Sequence, residues 1–421
     1  MEPTNTNLEV LSIEEEHAQV AVTDTAEGFA EALVRLRAGH GPIAMDAERA
    51  SGYRYSQRPY LIQLFRRGSG VILLDPPAIG DLSAISTEFS DVTWILHAAS
   101  QDLANLHEHG MHPGTIFDTE LAAKLLGVER FGLAALLEQF LDIHLAKKFS
   151  AVDWSTRPLP DEWLIYAALD VEYLVDLTDL LVEQLIEKDR LRIAETEFAA
   201  LLAREPKQNS LSEPWRKLSG IHQIKSRDQL ALAQHLWLSR DALAQETDIA
   251  PGRLIPDRAI VAVALRMPKT FPEFMQFKEF NGRASRTEAK RWWAALQLAQ
   301  KDKNKPELRA KGPDLPPIKV WDRHFPEAKN RFDITRPKIL ALAEELGIPQ
   351  ETLLTPEILR NLAFAPPESL SELNIQNALR ELGARDWQIS YTAPKILQGF
   401  VESLQTENVE TGSTTPQTPK D

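Results

Sequence analysis

The stretch GPIAMDAERA, residues 41–50, carries Asp46 and Glu48 immediately after a short apolar run. If residues 42–48 form a β-strand, successive side chains point to opposite faces, so Asp46 and Glu48 share one face. Two carboxylates on one face repel each other unless water or a cation screens them. The stretch therefore predicts a strand that ends either at solvent or at a cation-binding site.

The sequence around this strand predicts a mixed sheet with helices packed against it. A helical pattern in TAEGFAEALVRLRAG ends at Gly39, and strand-like runs follow the first strand at 60–65, 70–75 and 92–97. Strands that come first and then alternate with helices are typical of an α/β domain. Helices are predicted near 79–88 and over 101–109, 118–127, 132–140 and about 161–188.

Beyond this α/β domain the sequence predicts two small all-α domains. Their segments show helical periods broken by loops such as APGRLIP, and a charged, proline-bearing stretch separates them. The predicted organisation is a disordered tail (1–18), the α/β domain (19–205), a first helical domain (211–298), a linker (299–318), a second helical domain (319–404) and a disordered tail (405–421).

The composition limits the chemistry and the compartment. The chain of 421 residues has no cysteine, so metal ligands are restricted to oxygen and imidazole donors. No apolar run is long enough to span a membrane, and the polar, acidic N-terminus is unlike a secretory signal. We therefore expect a cytoplasmic protein without membrane contact.

Charge is unevenly distributed along the chain. The overall net charge is −14, with −18 over residues 1–215, +9 over residues 216–311 and −5 over residues 312–421. An acidic block beside a basic block favours carboxylate chemistry in the first and polyanion contact in the second. Chance variation among solvated surfaces is the alternative.

Two further acidic residues are candidates for a shared site. Asp102 follows the fourth predicted strand in LHAASQDLANL, where the alternative role is that of an acid at a helix N-terminus. Asp170 lies one helical turn after Tyr166, on a face that is otherwise apolar and aromatic. A buried carboxylate requires a partner, which would be a cation site or a basic side chain elsewhere; partial exposure of Asp170 is the other alternative.

Four converging carboxylates would need divalent cations. Hard oxygen ligands select Mg²⁺ or Mn²⁺. Two such ions, about 3.5–4 Å apart, are the common arrangement for phosphoryl transfer, in which one activates water and the other stabilises the leaving oxygen. Tyr166 could orient that water.

The order of these motifs resembles a known family. MDAE, LHAASQDLANL followed by FDTELAAKLLG, and YAALD preceded by DWSTRPLPDEW resemble the ribonuclease D family of the DEDD superfamily of 3′–5′ exonucleases. Tyr166 matches the DEDDy branch, since the DEDDh branch would carry histidine where Ile165 stands. The resemblance covers most of residues 20–200 and implies a ribonuclease H-like mixed-sheet exonuclease domain.

The resemblance also implies roles for the site residues. Asp46, Glu48 and Asp170 would hold the more deeply bound ion, Asp46 would bridge to the second, and Asp102 would contribute to that side. Tyr166 would position the nucleophile for hydrolysis that releases nucleoside 5′-monophosphates from a 3′ end.

Three other positions are compared with the family's pattern. Ala47 stands where the family often has threonine, which removes a hydroxyl near the substrate but no metal ligand. Gln63 and His97 match positions near the terminal nucleotides. A strand polar residue and a strand-end histidine are the alternatives for these two.

The basic block resembles the HRDC domain, a helical module that contacts nucleic acid. The match begins at WRKLSGIHQIKSRDQ, and Arg216, Lys217, Lys225 and Arg227 are predicted to bind phosphates. The third block resembles the second helical module of some ribonucleases D, chiefly in LGARDWQISYTAPKIL. A spacer or packing role is the alternative to RNA contact there.

These observations predict a metal-dependent 3′–5′ exoribonuclease that acts on RNA such as tRNA precursors. The alternatives are a DNA 3′–5′ exonuclease and an inactive nucleic-acid-binding protein, since no residue reports a contact to the 2′-hydroxyl. No obligate protein partner is implied.

Overall fold

The computed structural model of the protein describes residues 21–145, 149–204, 213–280, 282–308 and 315–411. Both the predicted tail 1–18 and residues 412–421 lie outside these ranges. The chain divides into two compact units. The first comprises residues 1–115, 144–175 and 204–311, and the second comprises residues 116–143, 176–203 and 312–421. The predicted exonuclease domain, 19–205, therefore contributes to both units.

A mixed sheet forms the centre of the α/β part. Its strands are β1 (Val22–Thr23), β2 (His40–Arg49), β3 (Pro59–Arg67), β4 (Gly70–Leu74), β5 (Thr93–Leu96) and β6 (Thr115–Asp118). Within the first unit the strand order is β1-β4-β3-β2-β5. β2 pairs antiparallel with β3 and parallel with β5, so Ile43, Ala44 and Met45 are fully buried.

The helices that accompany the sheet follow most of the predicted positions. They are α1 (Ala26–Ala38), α2 (Pro76–Ile79), α3 (Ser83–Glu88), α4 (Leu103–His107), α5 (Thr119–Leu126), α6 (Leu133–Leu141), α7 (Asp161–Glu172), α8 (Leu174–Glu187) and α9 (Leu191–Leu202). The single helix predicted over 161–188 is wrong, because α7 ends at Glu172, with Tyr173 as its C-cap residue, and α8 begins at Leu174. No proline or glycine marks this break.

Helix α7 packs across β2, β3 and β4. The buried cluster beneath it includes Leu61, Leu73, Trp154 and Ala167. Replacing a buried tryptophan such as Trp154 by alanine typically costs about 3–5 kcal/mol. This packing fixes α7, and any side chain it carries, against the central strands.

The first helical block is built around buried aromatic side chains. Its helices are α10 (Arg227–Thr247), α11 (Pro251–Leu254), α12 (Asp257–Arg266), α13 (Phe271–Met275), α14 (Arg283–Thr287) and α15 (Ala289–Lys301). Trp215, Phe274 and Trp292 fill the core. Arg240, also buried, forms an ion pair with Asp257 at 2.7 Å.

The predicted linker 299–318 begins too early. Helix α15 continues to Lys301, and the segment that follows it packs back on the block. Arg227 donates to the Lys305 carbonyl at 2.6 Å, and Arg216 donates to the Glu307 carbonyl at 2.8 Å. The first half of the predicted linker is therefore part of the first helical block.

The second helical block belongs to the second unit. Its helices are α16 (Trp321–His324), α17 (Pro326–Leu346), α18 (Gln350–Leu353), α19 (Pro356–Phe364), α20 (Glu372–Glu381) and α21 (Asp386–Thr411). Because α21 continues to Thr411, the predicted boundary at 404 is too early. Arg385 forms an ion pair with Glu197 of α9, and Trp387 Nε1 donates to the same carboxylate at 2.7 Å. The segment that carried the family resemblance is thus a packing element.

Candidate active site

Strand β2 brings two acidic side chains to the face that α7 covers. Asp46 opposes Gln63 and Glu48 opposes Leu61 in the antiparallel pairing with β3. Ala47 lies between them in the strand and is buried, with 7% of its surface exposed. A threonine hydroxyl at Ala47 would therefore be largely shielded from a substrate.

Helix α7 adds Asp170 to this pair. Carboxylate oxygens of Asp46, Glu48 and Asp170 all lie within 4.8 Å of one another. Asp170 is buried, and no arginine or lysine among the described residues forms an ion pair with it. The alternative of a basic partner is therefore not found, and the three carboxylates form one cluster.

Tyr166 is the hydrogen-bond partner that Asp170 has instead. The tyrosine hydroxyl donates to the Asp170 carboxylate. Phe149 packs edge-on against the tyrosine ring at 5.8 Å between centroids, and Trp154 lies 6.5 Å away. These rings orient Tyr166 toward the cluster.

Asp102 reaches the site from β5 by a sharp turn. Ala98 adopts φ +60°, and a short 3-10 helix, Ala99–Gln101, then delivers Asp102 to the start of α4. A non-glycine residue in the left-handed region is strained, which is common beside functional sites. Asp102 is the N-cap residue of α4, as the helix-terminus alternative predicts, but its side chain makes no capping hydrogen bond to that helix.

Asp102 remains outside the cluster of three. Its Oδ1 lies 3.7 Å from Nη2 of Arg49, and its side chain is nearly buried. The negative charge of Asp102 still raises the pKa of Glu48. Of the four carboxylates expected to converge, three therefore form the cluster, and Asp102 lies near enough to act on it electrostatically.

The pKa values of the cluster are raised, because the basic side chain nearby, Arg49, does not offset the burial and crowding of the carboxyl groups. Burial raises the pKa of Asp46 to about 6, against the opposing effects of the Ala47 amide and of Arg49. Burial, together with Asp46, Asp170 and Asp102, raises the pKa of Glu48 to about 10. Burial and then Asp46 raise the pKa of Asp170 well above its usual range. Oxygen donors at this spacing fit a divalent cation.

The segment DWSTRPLPDEW fixes the start of α7. Arg157 Nε donates to Oδ2 of Asp75 at 2.6 Å, and its other nitrogens donate to the carbonyls of Trp154, Thr156 and Tyr60. The sequence showed this segment only as part of the family resemblance. Its anchoring arginine was not predicted, because the partner carbonyls carry no sequence signal.

The predicted nucleotide contact of Gln63 is wrong for this conformation. Its side chain is fully buried, so a nucleotide could reach it only if the strands opened. Both polar atoms of the amide lack a hydrogen-bond partner in the described structure. His97 is half-buried at the end of β5, and its contact with a nucleotide stays a prediction.

The predicted phosphate-binding residues of the first helical block fall into two groups. Arg216 pairs with Glu213 at 2.7 Å, and Arg227 pairs with Glu307 at 3.0 Å, so both have structural partners. Lys217 and Lys225 have exposed side chains, although Lys225 donates to the His222 carbonyl. Contact of all four with nucleic acid stays a prediction.

One structural feature escaped sequence reasoning: the β2–β3 loop, residues 50–58, docks on the first helical block. The Ser56 amide donates to Asp248 Oδ1 at 2.8 Å, and Arg253 Nε donates to the Gly52 carbonyl at 2.8 Å. The Arg253 guanidinium also lies 3.8 Å from the ring centroid of Tyr53. The aromatic and basic residues of SGYRYSQRPY are the sequence feature that could have indicated this docking.

Membrane insertion finds no support in the described residues. None of their helices combines the length and the apolar character needed to cross a bilayer.

Known proteins share these features in the same order. A family model for 3′–5′ exonucleases matches residues 20–186, one for the HRDC domain matches residues 229–296, and one for a C-terminal domain of 3′–5′ exonucleases matches residues 314–400. A ribonuclease D of Shewanella sp. is 29% identical over 74% of this chain and 78% of its own. The ribonuclease D of Escherichia coli K12 is 32% identical over 55% and 62%.

Solved structures extend the similarity over nearly the whole chain. A protein from Bifidobacterium adolescentis has a TM-score of 0.83 at 36% identity, covering 90% of this chain and 96% of its own. The Escherichia coli RNase D structure has a TM-score of 0.64 at 25% identity, covering 91% and 99%. With the carboxylates and tyrosine of the DEDDy pattern in place, the chain is similar to ribonuclease D in its site and its domain order, and is a 3′–5′ exoribonuclease.

Proposed function

We propose that this enzyme removes nucleotides stepwise from the 3′ end of structured RNA, such as tRNA precursors, and releases nucleoside 5′-monophosphates. The observation that carries the proposal is the cluster of Asp46, Glu48 and Asp170, whose carboxylate oxygens lie within 4.8 Å of one another. We further propose that two divalent cations, Mg²⁺ or Mn²⁺, serve this site.

The family resemblance supports a division of these residues between two cations. Asp46, Glu48 and Asp170 would hold one ion, and Asp46 with Asp102 would hold the other. When bound, such ions supply a nucleophilic water at neutral pH and stabilise charge on the leaving oxygen. The chain itself shields part of this face, since α7 and its aromatic neighbours bury Asp170 and leave Asp46 and Glu48 half-buried.

Tyr166 serves as a hydrogen-bond donor. Burial, followed by the charges of Asp170, Glu48 and Asp46, raises the pKa of this phenol. It therefore stays protonated at neutral pH and can position an oxygen but cannot act as a general base.

Relatives favour RNA over DNA as the substrate. The Escherichia coli RNase D is described as an exoribonuclease involved in structured RNA processing. The basic first helical block, matched by the HRDC model, supports contact with the body of such an RNA.

A cleavage assay tests the proposal. The enzyme is incubated with Mg²⁺, Mn²⁺ or EDTA and one of three 5′-labelled substrates. These are a single-stranded RNA, an RNA stem with a 3′ extension, and a DNA of matched sequence. We expect stepwise 3′ shortening of RNA and release of 5′-monophosphates with Mg²⁺ and with Mn²⁺, and no cleavage in EDTA. The Asp46→Asn and Asp170→Asn variants should lose at least a thousandfold in rate while retaining RNA binding.

The control is Asp91→Asn, which changes the same charge at an exposed position. If DNA is shortened as fast as RNA, the enzyme is a broader nuclease without a preference for RNA. Binding without any shortening would favour the inactive alternative, and normal cleavage by Asp46→Asn would refute the metal assignment.

A further inference from the structure

Arg49 is a cation at the edge of the acidic cluster, where its charge acts to lower the pKa values of Asp46 and Glu48. It follows Glu48 directly at the end of β2, where the strand pairing shifts register: Glu48 opposes Leu61, but Arg49 opposes Pro59. Irregular pairing of this kind redirects side chains and is common beside active sites. The Arg49 guanidinium reaches the neighbourhood of Asp102, and 28% of its side chain is exposed.

The hydrogen-bonding capacity of Arg49 is unused. A guanidinium has five N–H donors. The pair with Asp102, at 3.7 Å, is too long for a hydrogen bond, and Arg49 makes no other polar contact within the described parts of the chain. By contrast, Arg66 donates to the carbonyls of Gly41 and Leu36. Arg49 therefore has both the donors and the exposure to receive an anion.

The substrate supplies such an anion at this place. Each phosphodiester of RNA is negatively charged, and the carboxylates of the cluster repel it whenever they are ionised. The planar fork of an arginine matches the oxygens of a phosphate better than the point charge of a lysine does. A cation next in sequence to Glu48 lies close enough to act on the same linkage that the cluster serves.

We propose that Arg49 is a phosphate-binding residue of the exonuclease site, where its guanidinium contacts nonbridging oxygens of the RNA near the linkage to be cleaved. The proposal rests on the assignment of the active site to Asp46, Glu48 and Asp170. The rival role is that of a local counter-charge that only tunes the carboxylates. That role predicts a change in cation affinity without a change in phosphate contacts.

Binding measurements separate the two roles. We would compare Arg49→Gln and Arg49→Lys with Arg37→Gln, a control that removes the same charge from an arginine paired with Glu88 on α3. Fluorescence anisotropy of a labelled single-stranded RNA is recorded at several KCl concentrations, in EDTA and in CaCl₂. Thermal melting of each variant checks that it is folded.

We expect Arg49→Gln to weaken RNA binding in CaCl₂ about tenfold and to lower the slope of log Kd against log salt by about 0.7, the value for one phosphate contact to a single strand. Arg49→Lys should retain the slope and lose part of the affinity. Arg37→Gln should match the wild type. If Arg49→Gln keeps the wild-type slope in both buffers, the proposal is refuted.

Calorimetric titration with Mn²⁺ alone distinguishes a phosphate contact from a damaged metal site. Removing a positive charge should leave Mn²⁺ affinity of Arg49→Gln equal or higher. Loss of Mn²⁺ binding would show that Arg49 acts through Asp102, and would overturn the proposal. A wild-type enzyme that fails to shorten RNA would refute the proposed function separately, since these binding readouts do not depend on cleavage.

Discussion

Replacing Asp46 by asparagine should make the metal-free enzyme more stable at neutral pH while it abolishes activity. Burial raises the pKa of Asp46 from 3.8 to about 6, so the folded chain binds the proton more tightly than the unfolded chain does. Below pH 4 this raised pKa costs nothing. Stability then falls as the pH rises through the window from 3.8 to about 6, and above it the full cost is present.

The magnitude follows from that difference in pKa. An interval from 3.8 to about 6 corresponds to about 3 kcal/mol of unfolding free energy at pH 7.5. Asp46 is only partly buried, and its removal also lowers the cost of ionising Glu48, so we expect the asparagine variant to gain about 1–3 kcal/mol. For a unit of this size that gain corresponds to a rise in Tm of roughly 2–10 °C.

Thermal melting in EDTA at pH 5.0 and pH 7.5 provides the assay. Asp46→Asn should melt above the wild type at pH 7.5, and the difference should shrink at pH 5.0, where Asp46 is largely protonated. Added Mn²⁺ should raise the Tm of the wild type more than that of the variant. A variant that melts below the wild type at pH 7.5, or by the same margin at both pH values, would refute the electrostatic reasoning. Asp91→Asn is the matched control.

Three further outcomes test the packing around the site and in the second unit. Asp248→Ala removes the carboxylate that accepts hydrogen bonds from the Ser56 amide and the Tyr60 hydroxyl. We expect a several-fold lower kcat in steady-state kinetics and faster cleavage of residues 50–58 in limited proteolysis. Glu197→Ala leaves Arg385 without its ion-pair partner in a largely buried contact, and should destabilise the second unit by about 3–5 kcal/mol in urea denaturation; an unchanged midpoint would show that the contact contributes nothing. Gly399→Ala places a Cβ in steric overlap with Thr335 Oγ1, so α21 must move and stability should fall by about 1–3 kcal/mol. Gly252→Ala, with open space around it, is the control.

The core strands were predictable because their signal is local. The runs at 42–48, 60–65, 70–75 and 92–97 are apolar and bounded by turn residues, and each became a strand. β1 and β6 were missed because strands of two and four residues carry too few side chains to show a period.

The site residues were predictable for a different reason. Asp46 and Glu48 follow from strand alternation, and Asp170 follows from its place on an apolar helix face. Their convergence depends on the packing of α7 across β2. No local sequence pattern predicts this packing, so the convergence was expected only from the family resemblance. Asp102 shows the limit, because its contact with Arg49 depends on the left-handed turn at Ala98, a residue type that gives no signal for that conformation.

Because the β2–β3 loop docks on the first helical block, the activity of an enzyme truncated before this block would have two possible explanations. The loop continues directly from the strand that carries Asp46 and Glu48, and the Ala250 amide donates to the Tyr53 carbonyl at 2.9 Å. Deleting residues 211–421 would therefore remove basic residues and also release a loop attached to the catalytic strand. Lower activity in such a truncation would not prove RNA binding by the helical block. Asp248→Ala separates the effects, because it weakens the docking of the loop while every lysine and arginine of the block stays in place.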